Sequence, residues 1–180
     1  MLDGELYDPL DRQLSDERMR ARFLIKELND TREDQQPERN RIILELLPNA
    51  VTGLWLQPPF YCDYGTNIII GENVFFNFNC VVLDVMTVTI GNRTIFGPNV
   101  QLYTATHPVD HDVRASGLEF AKPIQIGNDV WIGGHVVVCP GVKIGDRSII
   151  GAGSVVTRDI PQDVFAAGNP CRVIRSTINP

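Results

Sequence analysis

The residues able to do chemistry in this chain are few and unevenly placed. Of three histidines, His107 stands directly before a proline in the polar stretch "YTATHPVDHD", residues 103–112, while His111 and His135 follow. A neutral imidazole takes and returns protons near pH 7, so a histidine held between apolar segments is a candidate general base. On its own, His107 reads more readily as a solvated loop residue than as a catalyst. Cys62, Cys80, Cys139 and Cys171 are widely and irregularly spaced with no CxxC pair. That spacing predicts buried reduced thiols and speaks against a zinc ribbon. A net charge of −6 argues against a nucleic-acid partner, but a local arginine cluster still admits an anionic ligand.

The elements that position these groups follow from pattern. With 180 residues and 43% hydrophobic content, the chain suits one domain with a small appendage. The opening "MLDGELYDPL" has neither a basic start nor an apolar run, and 18 consecutive apolar residues occur nowhere. A signal peptide and a membrane span are therefore not expected, and a cytoplasmic location is. Most of the dense charge lies in residues 1–50. There "LSDERMRARFLIKELND" predicts a helix capped by Ser15, with Met19, Phe23, Leu24 and Leu28 facing inward and a stop at Asn29 and Asp30. "QPERNRIILELLPN" predicts a second helix that buries Ile42, Ile43, Leu46 and Leu47 between Pro37 and Pro48.

From residue 68 the period changes. Ile126, Ile132, Val138, Ile144, Ile150 and Val156 recur every sixth residue, and Gly127, Gly133, Gly145 and Gly151 follow four of them. A second row runs through Val130, Val136, Val142, Ser148 and Ser154. Upstream, Ile70, Phe76, Val82 and Val88 keep the step, then Ile90, Phe96 and Leu102 resume it after a two-residue shift. Neither a helix nor plain alternation prefers a six-residue period. The pattern predicts a hexapeptide solenoid, a parallel β-helix with stacked aliphatic rows inside. Gly71, Asn73, Gly91, Asn92, Gly127, Asn128 and Gly145 are expected at corners that need positive φ. Residues 103–123 interrupt the repeat, and a long insertion in a regular solenoid is usually functional.

The strings "GELYDP", "SDER", "PPFYCDYGTNIIIGENVFFNFNCVVLD", "YTATHPVDHDVR", "NDVWIGG" and "AAGNPCRVIR" together resemble the sugar O-acetyltransferases of the maltose and galactoside group, closer to the maltose branch. The resemblance covers essentially the whole chain. It implies a mainly β fold: a left-handed parallel β-helix over 58–180 with an extruded loop at 103–123 and a C-terminal tail, preceded by a helical region over 1–57. It further implies a cytoplasmic homotrimer with active sites between subunits, acetyl-CoA as co-substrate, no metal, and a sugar such as maltose or glucose as acceptor. His107 would be the general base. The backbone of Gly134, where other members carry Ser, would stabilise the oxyanion together with Asn77. Trp131, Gly133, Gly134, Ala152, Thr157, Arg158, Arg172 and Arg175 would line the cofactor groove. Asp8, Arg18, Asp63, Asn77 and Asp84 would meet the acceptor. Val85 stands where the galactoside branch has a second acid, which disfavours a galactoside.

Three other readings compete. The same chemistry on a non-sugar hydroxyl keeps every residue above. A zinc-dependent β-helix lyase like the carbonic anhydrases is permitted by the count of three histidines, although His111 reads as a loop residue and His135 lies within a repeat. A non-catalytic trimeric scaffold would not need the "THP" segment or the arginines of the tail.

Overall fold

A computed structural model describes residues 1–178; residues 179 and 180, the end of the expected tail, lie outside the described residues. Two helices come first, α1 over Arg12–Asn29 and α2 over Gln36–Leu46. The cap of α1 is Asp11, whose carboxylate accepts from the Leu14 N–H at 3.2 Å, so the helix starts ahead of the expected Ser15. Its buried face is Ala21, Leu24, Ile25 and Leu28. Met19 and Phe23, expected on that face, are 55% and 64% exposed. They form a neighbouring stripe with the same spacing, and spacing alone does not say which stripe turns inward. α2 carries Pro37 in its first turn and buries Ile42, Ile43, Leu46 and Leu47, as expected.

The rest is a parallel β-helix of three stacks. One runs Trp55–Leu56, Phe75–Phe76, Ile95–Phe96, Trp131–Ile132, Ile149–Ile150 and Val164–Ala167. A second runs Ile68–Ile70, Val88–Ile90, Ile124–Ile126 and Lys143–Ile144. The third runs Phe60–Cys62, Cys80–Leu83, Gln101–Tyr103, Val137–Val138 and Val155–Val156. The first strand, Trp55–Leu56, pairs with the next coil although it precedes residue 58, so the solenoid begins within the segment read as helical. Helices and coils share one continuous apolar core. The six-residue row from Ile126 to Val156 is no more than 3% exposed anywhere, and Phe76 stacks on Phe96 with centroids 4.2 Å apart. Among the described residues, no helix is long and apolar enough to cross a membrane.

The corners differ from expectation. Of the residues assigned positive φ, Asn73 has it (56°), whereas the glycines at 71, 91, 127 and 145 do not. Left-handed backbone falls instead on Arg93, Asp129, His135 and Arg147, at φ 56° to 59°. The glycines answer a different demand. A Cβ on Gly91 would lie 2.5 Å from the carbonyl carbon of Gly127 in the next coil, closer than atoms can approach. Beside them, Asn92 Oδ1 accepts from Glu72 N–H, Asn128 Oδ1 from Asn92 N–H, and Asp146 Oδ1 from Asn128 N–H, all at 2.8 to 2.9 Å. The corner side chains thus satisfy backbone donors that the ladder leaves open. Gly91→Ala is expected to destabilise the fold by about 1–3 kcal/mol through overpacking, read as a lowered melting temperature with the β-sheet circular dichroism signal retained.

Candidate active site

The 103–123 insertion is a short arm. Ala105–Thr106 pairs antiparallel with Phe120–Ala121, Thr106 opposite Phe120, and a five-residue helix, α3 over His111–Ala115, spans the tip. His111 therefore opens a helix capped by Asp110 and is not in open loop; its Nδ1 lies 2.8 Å from Asp112. His107 follows the paired strand, with its side chain 56% exposed and Nε2 3.8 Å from Glu119 Oε2. The arm does not stand free, because Glu119 forms an antiparallel bridge with Tyr7 of the N-terminal segment. His135 sits at a solenoid corner, with Nε2 3.3 Å from Asn99 Nδ2. Among the described residues, no three His, Cys, Asp or Glu side chains group as metal ligands.

The N-terminal segment and α1 bring several predicted acceptor residues to this arm. Arg18 is half-buried, donates from Nη1 to Tyr64 Oη at 2.8 Å and from Nη2 to the Pro9 carbonyl, and lies over the Tyr64 ring. Asp8 is exposed, and its Oδ1 accepts from Leu10 N–H at 2.8 Å. Asp63 is half-buried, with its carboxyl pushed up to about 6 by burial and by Asp84, while Arg18 and Arg22 pull the other way. A cavity of about 530 Å³ beside α1 is lined by Asp63, Arg22, Lys26, Asn29 and Tyr61.

Asp84, which the resemblance assigns to the acceptor, is engaged by backbone groups. It is fully buried, and its oxygens accept from the backbone N–H groups of Asp63, Tyr64 and Gly65 at 2.7 to 2.9 Å. Burial raises its carboxyl against the pull of those amides. Asp84 fixes the turn that presents Asp63 and Tyr64, and it is not among the residues lining the cavity beside α1.

Asn77, Gly133, Gly134 and Ala152 follow strands of one stack, whereas Thr157 and Arg158 follow a strand of another. Asn77, Gly97, Gly133 and Gly151 each donate a backbone N–H to the next coil, at 2.8 to 3.1 Å, and so form one column. A Cβ on Gly133 would lie 2.6 Å from Ala152 N, so glycine there lets Gly134 and Ala152 stack closely. Gly134 N–H meets no acceptor among the described residues. A free, fixed N–H is what a developing oxyanion requires. Asn77 Oδ1 accepts from Phe78 N–H at 2.8 Å, which leaves its Nδ2 as the donor. Trp131 is 54% exposed beside this column. Ala152, Thr157 and Arg158 are exposed on the last coils. Arg172 and Arg175 lie on the final exposed strand, Arg172–Ser176, antiparallel to Val164–Ala167, with Arg175 over the Phe165 ring.

Comparison with known proteins decides the family. Residues 1–50 match the maltose acetyltransferase hexapeptide capping motif and residues 123–158 the bacterial transferase hexapeptide (six repeats). A galactoside O-acetyltransferase of Escherichia coli (strain K12) is 46% identical over 172 residues, covering 96% of this chain and 85% of that protein. The chain belongs to the maltose and galactoside O-acetyltransferase family. A solved maltose O-acetyltransferase from Clostridium difficile 630 superposes with a TM-score of 0.95 at 45% identity, covering 97% of this chain and 94% of that one. A galactoside acetyltransferase solved with coenzyme A also gives 0.95, at 46% identity, covering 97% and 88%.

Within this acetyltransferase fold, sequence reading missed Tyr7 and Glu119. The signal for Glu119 was the arm's turn at Gly117, since pairing Thr106 with Phe120 sets residue 107 against 119. Asp63 carries the pH signature of the site. Its folded carboxyl titrates above the ordinary Asp range, so the cost of ionising it is absent below about pH 4 and fully present above about pH 6. Asp63→Asn should therefore raise the melting temperature at pH 8 and leave it nearly unchanged at pH 4, checked by a melting series across pH.

Proposed function

We propose that this protein moves the acetyl group of acetyl-CoA directly to a hydroxyl of a sugar such as maltose or glucose, with His107 as general base. The observation that carries this reading is the presentation of His107 on a pinned arm, half open to solvent, beside a single carboxylate. His107 takes the acceptor's hydroxyl proton as its oxygen attacks the thioester carbonyl carbon. Gly134 N–H and Asn77 Nδ2 donate to the resulting oxyanion. Collapse breaks the C–S bond, and the imidazolium returns the proton to the departing thiolate, which leaves ester and free thiol. An acetyl-enzyme is not needed, and no cysteine or serine stands beside His107 in its motif to form one. Burial raises all four cysteine thiols, Cys80 to about 11, so they stay protonated.

Acetyl-CoA lies along the column from Trp131 to Ala152. Thr157, Arg158, Arg172 and Arg175 meet its phosphates, and this pairing offsets the overall negative charge locally. Asp8, Arg18 and Asp63 meet the acceptor. The enzyme works as a homotrimer, with the arm of one subunit facing the glycine column of another. Two observations support this arrangement: the two groups of residues sit on separate parts of one chain, and Trp131 is exposed.

A thiol-release assay with acetyl-CoA against a panel of mono- and disaccharides tests the acceptor. His107→Ala should lower kcat by about 10²–10⁴-fold with folding intact. Undiminished turnover in that variant would reject His107 as the base.

A further inference from the structure

We infer that Tyr7, on the N-terminal segment, is a positioning residue for the catalytic base: its phenol fixes the Glu119 carboxylate beside His107. The inference rests on the reading of His107 as the base. The two oxygens of Glu119 have different duties. Oε1 accepts from the Tyr7 hydroxyl, and Oε2 lies 3.8 Å from His107 Nε2. The backbones are locked as well, since Tyr7 N–H donates to Glu119 O at 3.0 Å and Glu119 N–H to Tyr7 O at 3.2 Å. The carboxylate is the shielded member of the pair, 15% exposed against 56% for the imidazole.

The groups facing Tyr7 make it a permanent donor. Burial, the Glu119 hydrogen bond, and the charges of Glu119, Tyr64 and Asp63 push its phenol well above the ordinary range. Arg18 holds Tyr64 from the other side, and Asp84 stands behind Asp63. When His107 takes a proton, its positive charge forms against a carboxylate already fixed in place, with no reorganisation at that moment. The capping segment therefore does more than close the solenoid; it completes the site.

A double-mutant cycle tests this. Tyr7→Phe keeps the ring and removes one hydroxyl. Its kcat should fall about tenfold, the scale of one lost hydrogen bond to a charged group, with the KM for acetyl-CoA close to the parent and the folded circular dichroism spectrum retained at the assay temperature. In a Glu119→Gln background the same substitution should change kcat by less than about twofold, because the carboxylate it holds is gone. An equal fall in both backgrounds, a change confined to KM, or no fall at all would overturn the inference. His107→Ala, measured in parallel, separates the two failures. If that variant turns over normally, the base assignment is wrong and the inference goes with it. If it is inactive while Tyr7→Phe is fully active, Tyr7 alone is misassigned.

Discussion

The molecule depends on how closely one coil lies on the next. Parallel strands in register sit about 4.8 Å apart, and at the corners the backbones close further, until no Cβ fits between Gly91 and Gly127 or between Gly133 and Ala152. Such contact leaves little lateral freedom. A residue on one coil is placed by the coil beneath it, so the backbones of Asn77, Gly134 and Ala152 inherit fixed positions from the stack. A donor N–H that must wait for an oxyanion gains most from a platform of this kind, because its orientation is settled before the reaction begins.

The arm solves the opposite problem. It leaves the solenoid after Tyr103 and returns at Ile124, where pairing with Val88 resumes as though nothing had intervened. Between those points the stack cannot hold it. A second, smaller apolar cluster does: Tyr64, Val85, Met86 and Ala121, with Tyr7, Leu14 and Ala105 against it. Three carboxylates, Asp63, Asp84 and Glu119, collect around this cluster, and their mutual repulsion is part of what raises Asp63. Arg18 and the backbone amides on Asp84 offset that repulsion. A polar site placed on a small core is kept in order by hydrogen bonds more than by buried area, which is why nearly every acid there has a named partner.

What the sequence revealed divides along the same line. The six-residue period exposed the aliphatic rows, because burial in a solenoid repeats where the chain repeats. The corners misled for a physical reason: glycine serves both positive φ and close approach, and only coordinates separate the two uses. The cap of α1 was misread because Asp11 and Ser15 are both good caps one turn apart. Asp84 was assigned to the acceptor by resemblance, and its grip on three backbone amides of a segment about twenty residues away has no signature in the sequence. Tyr7 and Glu119 are 112 residues apart and lie outside the repeat, so no periodicity links them. Irregular segments that meet across the fold are where a single sequence carries least information.

The outer surface bears on the proposed trimer. On one stack the outward positions are in register from coil to coil, Trp55 opposite Phe75, Phe75 opposite Ile95, and Ile95 opposite Trp131. Trp55, Ile95 and Trp131 are 46 to 54% exposed, and a contiguous exposed apolar stripe marks an interaction surface. The solenoid makes the stripe straight, since each coil repeats the one below, and a straight stripe suits packing against identical copies better than a curved one. Trp131 belongs both to that stripe and to the edge that carries Gly133 and Gly134. Covering the stripe with a second subunit would also wall the groove where the thioester is proposed to lie, so one contact would serve both the apolar face and the proposed site.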